Sequence, residues 1–460
     1  MEQRDTISAI ATSGGEAGIG IIRISGEKAL EIAGRVFFPA RRKKLEDLGT
    51  YRAAYGQIRD GQGELVDEAI ALVMRSPHSY TMEDVVELQC HGGPMPLRRT
   101  LALTYEAGAR PAERGEFTKR AFLNGRLDLS QARAVMDVIQ AKTPAALRVA
   151  AGHLSGRFSG RVRDLRHSLL EEIAHLEATI DFPEEDIEDV VLEETKEKSM
   201  ELLRELEEIL RTARTGRILR EGLTTAIIGK PNVGKSSLLN ALLREDRAIV
   251  AEVPGTTRDS IEEYAELGGV PLRIIDTAGI RSTEDEIERL GVERSRAYAK
   301  DASLILALFD GSGKLTEEDE EILELLEGKE AILLVNKGDL PSAFPPEALR
   351  ERFPALPLCV ISAKKGEGLD VLGEILRKKT YEGTLPQEEP FFVNAEEQVR
   401  SLRQAREHID AACHAIEEGM SADFVSIDLR SAWEILGEIT GETPGEDIIQ
   451  QIFSQFCIGK

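Results

Sequence analysis

The spacing of hydrophobic positions changes along the chain, and each change predicts a different kind of domain. Up to about residue 125, short β-type runs at 20–24 and 69–73 are separated by glycine turns and one or two helical stretches, which predicts an α+β domain. From about 127 to 215, apolar residues recur every three or four positions, as at Leu169 and Ile173, which is the period of helices packed through one face.

Between 217 and 380, apolar strands alternate with helical segments, and this alternation is typical of a parallel, doubly wound sheet. Helical texture returns from about 395 to 456. The simplest architecture is an all-helical domain formed by both flanks, with the α/β domain inserted into it. The expected strands are 224–229, 272–276, 303–309, 331–336 and 358–362. The predicted domains are 1–125, 126–215, 216–382 and 383–460.

Net charge limits the partners that the chain can bind. The 460 residues contain 58 Lys and Arg against 82 Asp and Glu, a formal charge of −24. A chain this acidic is not a general polyanion binder, so contact with nucleic acid requires a local basic patch. Solvated surface charge is the alternative interpretation of both candidate patches, which are residues 41–44 and the row Arg157, Arg161, Arg163 and Arg166.

Neither the N-terminus nor any apolar run suggests a membrane or a secretory destination. The first residues lack the basic and apolar regions of a signal peptide, and no apolar run approaches the roughly 20 residues of a membrane helix. A cytoplasmic location without membrane attachment is therefore expected. The four cysteines form no CxxC pair, so neither a metal site nor a disulfide framework is expected. Three are expected to be buried thiols, and Cys457, the fourth residue from the end, is set apart.

A GxxxxGKS loop at 229–236 follows an apolar strand and precedes a helical run. Glycines let backbone N–H groups close around phosphates, and the N-terminus of the helix adds its dipole. Lys235 is predicted to neutralise the β- and γ-phosphates, and Ser236 to ligate Mg²⁺. Because strand, loop and helix occur in the required order, the sequence predicts a nucleoside triphosphate site.

Four further motifs, in the order expected of a GTPase, identify the base. Asp276 closes the second strand, where its carboxylate reaches Mg²⁺, and Thr257 is the natural second ligand of that ion. Asp339 can accept two hydrogen bonds from the guanine edge, which adenine lacks. The predicted GTP-binding residues are Asn232, Val233, Gly234, Lys235, Ser236, Ser237, Thr257, Asp276, Thr277, Ala278, Gly279, Asn336, Lys337, Asp339, Ser362 and Ala363.

Spacing alone does not identify the residue that orients the attacking water. Small GTPases place a glutamine directly after the DxxG motif, where this chain has Ile280, which cannot polarise water. Arg258 is either an internal arginine finger or part of a structural salt bridge. The acidic candidates that follow are Glu284, Asp285, Glu286 and Glu288.

Motifs outside the GTPase loops point to one family. The chain contains DTI at 5–7, GIIRISG at 20–26, ELQCHGGP at 87–94, GEFTKRAFLNG at 115–125, DFP at 181–183 and FCIGK at 456–460. Together with the GTPase motifs, these resemble the MnmE family of bacterial tRNA-modification GTPases, also called TrmE. The resemblance covers essentially the whole chain. Its terminal motif is highly specific, because ordinary GTPases have no such tail.

The resemblance implies a folate site in the N-terminal domain. Family members have a tetrahydrofolate-binding-like fold there, dimerise through it and hold 5-formyl-tetrahydrofolate. By motif position, Arg23, Glu87, Arg126 and Lys460 are expected to line this pocket. Arg126 stands where some relatives have lysine, which keeps the charge but changes the donor geometry. From the residues alone, a structural ion pair within the sheet is the alternative for Arg23 and Glu87.

The resemblance also implies that K⁺ activates hydrolysis. A K⁺ beside the phosphates stabilises transition-state charge as an arginine finger does. Its ligands are expected from Asn232, Ala251, Val253 and Thr256, and Ala251 and Thr256 thereby join the predicted GTP-binding residues. Glu288 falls at the position of the family glutamate that orients water.

The resemblance further implies the overall reaction. Family members act as homodimers with an FAD-containing partner, MnmG, and add an aminomethyl or carboxymethylaminomethyl group to C5 of the wobble uridine of tRNA. Folate supplies the one-carbon unit. Cys457 is expected to be required for this modification, and with Lys235 and Glu288 it completes the predicted catalytic set.

Two other functions remain open at the level of sequence. One is a non-catalytic GTP switch in ribosome assembly, which is disfavoured because no basic RNA-binding module is evident. The other is a folate-dependent one-carbon transferase with a regulatory G domain. A modification assay with and without MnmG, folate and GTP separates all three.

Overall fold

The N-terminal part of the chain folds around a seven-stranded mixed sheet. The computed structural model describes residues 5–13, 15–41, 44–181, 188–245, 263–275, 300–381, 392–442, 452–454 and 456–460. The strands of this sheet are β1 Ile7–Ile10, β2 Ala17–Ser25, β3 Phe37–Pro39, β4 Arg52–Arg59, β5 Leu65–Met74, β6 Val85–Gly92 and β7 Arg110–Pro111, in the order β3-β4-β5-β6-β2-β1-β7. Neighbours are antiparallel except β1 and β7, which are parallel.

Two helices cover one face of this sheet, and a third packs against β1 on the other face. They are α1 Ala29–Val36, α2 Pro94–Glu106 and α3 Glu116–Leu123, with a 3₁₀ turn at Leu45–Asp47. Ile22, Ile24 and Leu88 are buried in one core with residues of α1 and α2. Successive side chains of a strand point to opposite faces, so these residues define the covered face. The predicted α+β character of the N-terminal domain is confirmed.

The other face of the sheet carries both polar and exposed apolar side chains. Arg23 lies opposite Glu87 in the register of β2 and β6. Glu87 is in turn opposite Leu72 of β5. Ile70 is two residues from Leu72 and therefore points to the same face, and its cross-strand partner on β4 is Tyr55. Tyr55 and Ile70 remain 55% and 42% exposed. An uncovered apolar strip therefore shares its face with the Arg23–Glu87 pair.

A run of helices follows, namely α4 Leu129–Gln140, α5 Pro144–Leu154, α6 Arg157–Asp181, α7 Glu188–Arg211 and α8 Ala213–Glu221. Apolar residues three and four positions apart form their buried sides, as with Leu165, Leu169 and Ile173 on α6. The helical texture predicted for this part of the chain is confirmed.

The second sheet is built from the predicted alternation of strands and helices. Its strands are β8 Leu223–Ile228, β9 Glu263–Leu267, β10 Val270–Ile274, β11 Leu304–Asp310, β12 Ala331–Asn336 and β13 Leu358–Val360, in the order β13-β12-β11-β8-β10-β9. The accompanying helices are α9 Lys235–Glu245, α10 Glu317–Leu325, α11 Glu347–Arg352 and α12 Leu369–Thr380. All neighbouring strands are parallel except β9 and β10.

Strand β9 corrects the expectation of an all-parallel sheet. It pairs antiparallel with β10 through a turn at Gly268 and Gly269, whose φ values are +62° and +79°. Paired glycines between two short strands are a hairpin signal, because both turn residues need positive φ. The five strands expected from apolar runs are present, and the strand that was missed carries two glutamates among its five residues.

Helices pack on both faces of this sheet, as a doubly wound fold requires. One core joins Leu306 and Ile332 to residues of α9 and α12. The other joins Ile305 and Phe309 to residues of α10 and α11. Strands buried on both faces are nearly continuous apolar runs, which is why the sequence revealed them.

Helices α13 Glu396–Glu417 and α14 Ala422–Thr440 follow the second sheet. Helix α13 packs against α7, which precedes that sheet in the chain. The α/β domain is therefore inserted between two helices that pack together, as predicted. The points of entry and exit also contact each other: Thr215 Oγ1 donates to the carbonyl of Thr380 at 2.9 Å, and the amide of Val393 donates to Thr212 Oγ1 at 3.1 Å.

Contacts divide the chain into two units. One comprises residues 1–136, 153–174 and 430–460, and the other comprises 137–152 and 175–429. The predicted boundaries after residues 125, 215 and 382 separate domains by type and stay predictions. No helix in the described residues is both long and apolar enough to cross a membrane.

Candidate functional site

The predicted phosphate loop connects β8 to α9. Strand β8 ends at Ile228 and α9 begins at Lys235, so six residues form the turn between them. Gly234 has a φ of +105°, and a Cβ on it would collide with the side-chain amide of Asn336. Only glycine therefore fits at this position. Backbone N–H groups at the start of a helix face outward, which suits a phosphate.

Lys235 is held inside this loop. Its Nζ donates to the carbonyls of Gly229 at 2.8 Å and Lys230 at 2.9 Å. Ser236 and Ser237 occupy the first turn of α9 and are exposed, while the side chain of Val233 is buried. The end of the loop thus provides a lysine ammonium and serine hydroxyls, which are the groups that phosphates and a hard cation would bind.

Asn336 joins the phosphate loop to the loops after β12 and β13. Its Nδ2 donates to the Val233 carbonyl at 2.7 Å, and its Oδ1 accepts the Ala363 amide at 3.0 Å. The asparagine is 3% exposed, so both bonds are shielded from water. Three motifs that are distant in sequence are thereby fixed to one another by one side chain.

Asp339 lies beside the loop of Ser362. The Ser362 hydroxyl donates to Asp339 Oδ1 at 2.8 Å, and this hydrogen bond holds the pKa of Asp339 below its ordinary value. Lys337 forms an ion pair with Asp310 at 2.6 Å. Burial opposes ionisation of Asp310, but bonds from Lys337 and Ser312 keep its pKa lowered. Both carboxylates are therefore ionised at neutral pH, and Asp339 is a charged acceptor.

The other predicted residues of the nucleotide site lie outside the described residues. They are Ala251, Val253, Thr256, Thr257, Asp276, Thr277, Ala278, Gly279 and Glu288, together with the alternatives Arg258, Glu284, Asp285 and Glu286. The assignments of K⁺ ligands and of the water-orienting glutamate stay predictions.

The four residues predicted to bind folate converge on the open face of the first sheet. Arg23 and Glu87 form an ion pair of 2.8 Å, with side chains 15% and 13% exposed. Arg23 also donates to the carbonyl of Gly459 at 3.5 Å. Burial and the nearby Arg23 lower the pKa of Lys460, so its ammonium lies within electrostatic reach of this pair.

Tyr80 connects the arginines of this cluster and was missed by the sequence. Its ring centroid lies 5.5 Å from the guanidinium carbon of Arg23 and 4.7 Å from that of Arg126, both within cation–π range. Its carbonyl accepts a hydrogen bond from Arg126 at 3.1 Å, and its hydroxyl bonds to Thr118 at 3.0 Å. A single tyrosine carries no sequence pattern that would reveal such a position.

The C-terminal tail lies against the N-terminal domain. The Gly115 amide donates to the Cys457 carbonyl at 3.4 Å, and Arg114 and Ile458 form an antiparallel bridge. The Cys457 side chain is exposed, whereas the other three cysteines are buried. This difference matches the distinction drawn from the sequence.

The arginine row on α6 does not form one solvated surface. Arg166 is 5% exposed, its guanidinium carbon lies 4.3 Å from the ring centroid of Trp433, and it pairs with Glu442. Arg163 pairs with Asp128 at 2.7 Å. Both interpretations of this row, a nucleic-acid patch and solvated charge, are therefore wrong for Arg166. Its spacing of four from Val162 and three from Leu169, both buried, explains its burial.

Three features place this chain in the class of P-loop GTPases. They are the strand order of the second sheet, the glycine loop between β8 and α9, and the hydrogen-bonded loops after β12 and β13. Comparison with known proteins narrows this class. A family model described as "MnmE helical domain" matches residues 129–457, and one described as "GTP-binding protein TrmE N-terminus" matches 6–126. The chain belongs to the MnmE family of tRNA modification GTPases, and it is a GTP hydrolase.

Curated relatives match along their whole length. A tRNA modification GTPase MnmE from Alkaliphilus metalliredigens is 50% identical over 457 residues, with 99% of both chains covered. One from Symbiobacterium thermophilum is 51% identical over 458 residues with the same coverage, and one from Geobacillus thermodenitrificans is 49% identical over 462 residues with 100% of both covered. The G domain of the T. maritima FeoB iron transporter covers 35% of this chain at 28% identity, but its TM-score of 0.25 supports no conclusion.

Proposed function

We propose that this GTP hydrolase binds its nucleotide with Mg²⁺ and K⁺ and acts in the cytoplasm as a homodimer. Its partner is an FAD-containing protein of the MnmG type, and its target is C5 of the wobble uridine of tRNA. The modification adds an aminomethyl or carboxymethylaminomethyl group whose one-carbon unit comes from 5-formyl-tetrahydrofolate or a related folate. Support for a tRNA substrate comes from the names of the relatives, which are tRNA modification GTPases.

The nucleotide site performs its part through charge and backbone geometry. Lys235 exchanges its two carbonyl partners for the β- and γ-phosphates, and the amides of residues 232–237 donate to phosphate oxygens. Ser236 offers a hydroxyl oxygen, which is the donor type that Mg²⁺ prefers, and Thr257 is the second proposed ligand. Mg²⁺ and K⁺ supply positive charge that stabilises the phosphates of the transition state.

Guanine is selected by Asp339. Its carboxylate is held by Ser362 and ionised, so it accepts the N1–H and N2–H₂ groups of guanine. Two charge-assisted hydrogen bonds of about 1.5–3 kcal/mol each give a selectivity of about 10²–10⁴ over adenine. Ser362 orients the carboxylate, and Asn336 fixes the loop that carries it relative to the phosphate loop.

The observation that carries the folate assignment is the imbalance of charge around Tyr80. Arg23, Arg126 and Lys460 contribute three cationic side chains, and Glu87 contributes one carboxylate. A structural ion pair would involve only Arg23 and Glu87. It does not account for the positive charges of Arg126 and Lys460. The glutamate carboxylates of a folate would compensate the excess charge, and its pterin N–H groups suit Glu87 as an acceptor.

The open face of the first sheet supports a homodimer. Tyr55 and Ile70 face each other across β4 and β5 and are both exposed, on the face that also carries Arg23 and Glu87. An uncovered apolar strip beside a ligand site is a typical interaction surface. A second copy of the chain is the proposed occupant.

The folate assignment is tested by calorimetric titration of 5-formyl-tetrahydrofolate into the full chain. Arg23→Met is expected to abolish measurable binding and to leave GTP hydrolysis within twofold of wild type. Arg98→Met, which removes an exposed arginine of α2, is the matched control and is expected to bind normally. Unchanged binding by Arg23→Met would exclude the proposed pocket.

The remaining proposals are tested by hydrolysis and by tRNA analysis. Glu288→Ala is expected to keep nucleotide affinity and to lose hydrolysis, so near-normal turnover in K⁺ buffer would reject its role. Wild-type turnover should fall when Na⁺ replaces K⁺. In a strain that lacks the protein, tRNA nucleoside analysis should show an unmodified wobble uridine, and an unchanged uridine would reject the tRNA proposal while leaving the GTPase intact.

A further inference from the structure

A buried ion pair ties the phosphate loop to a helix on the far side of the next strand. Lys230 is the second residue of the loop, and its Nζ lies 2.6 Å from Asp319 Oδ2. The Lys230 and Asp319 side chains are 15% and 1% exposed. Asp319 belongs to α10, which follows β11, the strand next to β8.

Asp319 also caps α10. Its Oδ2 accepts the backbone amide and the hydroxyl of Thr316, each at 2.9 Å, in a capping box. The Thr-x-x-Asp spacing of this cap is visible in the sequence, but a cap is complete without a lysine. Its Oδ1 is buried and has no hydrogen-bond partner among the described residues. The lysine from the phosphate loop is therefore an addition that capping does not require.

The carbonyl of Lys230 links this ion pair to the reaction. It accepts a hydrogen bond from Lys235 Nζ at 2.9 Å, so the residue anchored by Asp319 also positions the lysine that meets the phosphates. The far end of the loop is fixed separately, by Asn336 at the carbonyl of Val233. Two side chains from later parts of the domain thus hold the loop at its beginning and at its end.

We propose that Lys230 and Asp319 are positioning residues for nucleotide binding, which keep the first half of the phosphate loop in the conformation that accepts phosphates. A charge pair in a water-poor site fixes position strongly, because separating it leaves a buried carboxylate without compensation. Without the pair, the loop occupies its binding conformation for a smaller fraction of the time. Apparent affinity falls by that fraction, whereas nucleotide that is already bound restores the loop.

The experiment compares GDP affinity, KM and kcat in full-length variants. Lys230→Met keeps the length of the side chain and removes its charge, and Asp319→Asn keeps the shape of the carboxylate. Each is expected to weaken GDP binding and raise KM about tenfold, with kcat within threefold of wild type. Lys329→Met removes an exposed lysine of the same domain and should change neither value. Lys230→Arg, which retains the charge, should restore most of the affinity.

The double variant separates positioning from a merely structural role. If the two residues act as one unit, Lys230→Met with Asp319→Asn binds GDP no more weakly than the worse single variant. Loss of helix capping alone would lower the melting temperature without changing GDP affinity, and that result overturns the proposal. So does GDP affinity within twofold of wild type in Lys230→Met, or an equal loss in Lys329→Met. If Lys230→Met does not fold, GDP affinity within twofold of wild type in Asp319→Asn overturns the proposal instead.

Discussion

The C-terminal tail reaches the Arg23–Glu87 pair because residue 459 is a glycine. Gly459 has a φ of +95°. A Cβ built on it would lie closer than 3.0 Å to the carbonyl oxygen of Ile10 and 3.1 Å from the Cα of Ala11. These neighbours are backbone atoms at the end of β1, where Ile10 pairs with Ile22 of β2, and they cannot move aside easily. Gly459→Ala must therefore displace the tail.

The size of the effect follows from what holds the tail. Alanine at positive φ costs about 1–2 kcal/mol, to which the collision with β1 adds. Residues 457–460 are held by few bonds, among them those to Gly115 and Arg23, each worth about 0.5–1.5 kcal/mol net. Phe456 is 2% exposed and anchors the segment before them. The strain is thus sufficient to release the last four residues, while the free energy of unfolding of the whole chain changes little.

Two assays report this release. A strain of about 1–2 kcal/mol lowers the affinity for 5-formyl-tetrahydrofolate about 5- to 30-fold, measured by calorimetry. The rate at which an aromatic disulfide reagent labels Cys457 should rise in the same variant. Gly419→Ala is the matched control, because its φ is +72° but nothing lies within 4 Å of the added Cβ. Wild-type folate affinity and labelling rate in Gly459→Ala, or equal losses in Gly419→Ala, would refute the reasoning.

Three further outcomes follow from the described residues. The native chain should label at one of its four thiols at pH 8, because burial raises the pKa of Cys90 to about 12, of Cys359 to about 11 and of Cys413 above its ordinary value; two fast thiols would contradict this. Burial and Arg23 lower the pKa of Lys460, so folate affinity should decline on raising the pH before an ordinary lysine would titrate, and Lys460→Arg should remove that decline; identical pH profiles would exclude the role of this ammonium. Asp339→Ala should weaken GTP binding about 10²–10⁴-fold and leave ATP binding unchanged in competition assays, and an equal effect on both nucleotides would show that it does not read the base.

The sequence predicted best those elements whose signals are local and strong. Strands β8, β11 and β12 are continuous apolar runs because helices cover both of their faces, and β8 and β12 end at motifs whose chemistry is known. Strand β9 was missed because it has only five residues, two of them glutamates, and lies at the edge of the sheet. The glycine pair that follows it was the readable signal.

The pattern of residues along the sequence could not predict contacts between distant parts of the chain. Tyr80 lies between arginines 57 and 46 positions away, and nothing near it in sequence marks this position. Lys230 and Asp319 are separated by 89 residues, and each has an ordinary local interpretation as a loop residue or a helix cap. Arg166 was the exception, since its place on the apolar side of α6 could have shown that it is buried.

Hydrogen bonds join the two points at which the chain enters and leaves the α/β domain. They link residues 212–215 to residues 380 and 393. The polypeptide departs from the α7–α13 helix pair and returns to it at one spot, where the two crossings are bonded to each other. The residues between the two crossings therefore do not change the distance in space between those helices. The α/β domain can therefore be treated as an insertion: a short loop in its place would leave both helices within reach of each other.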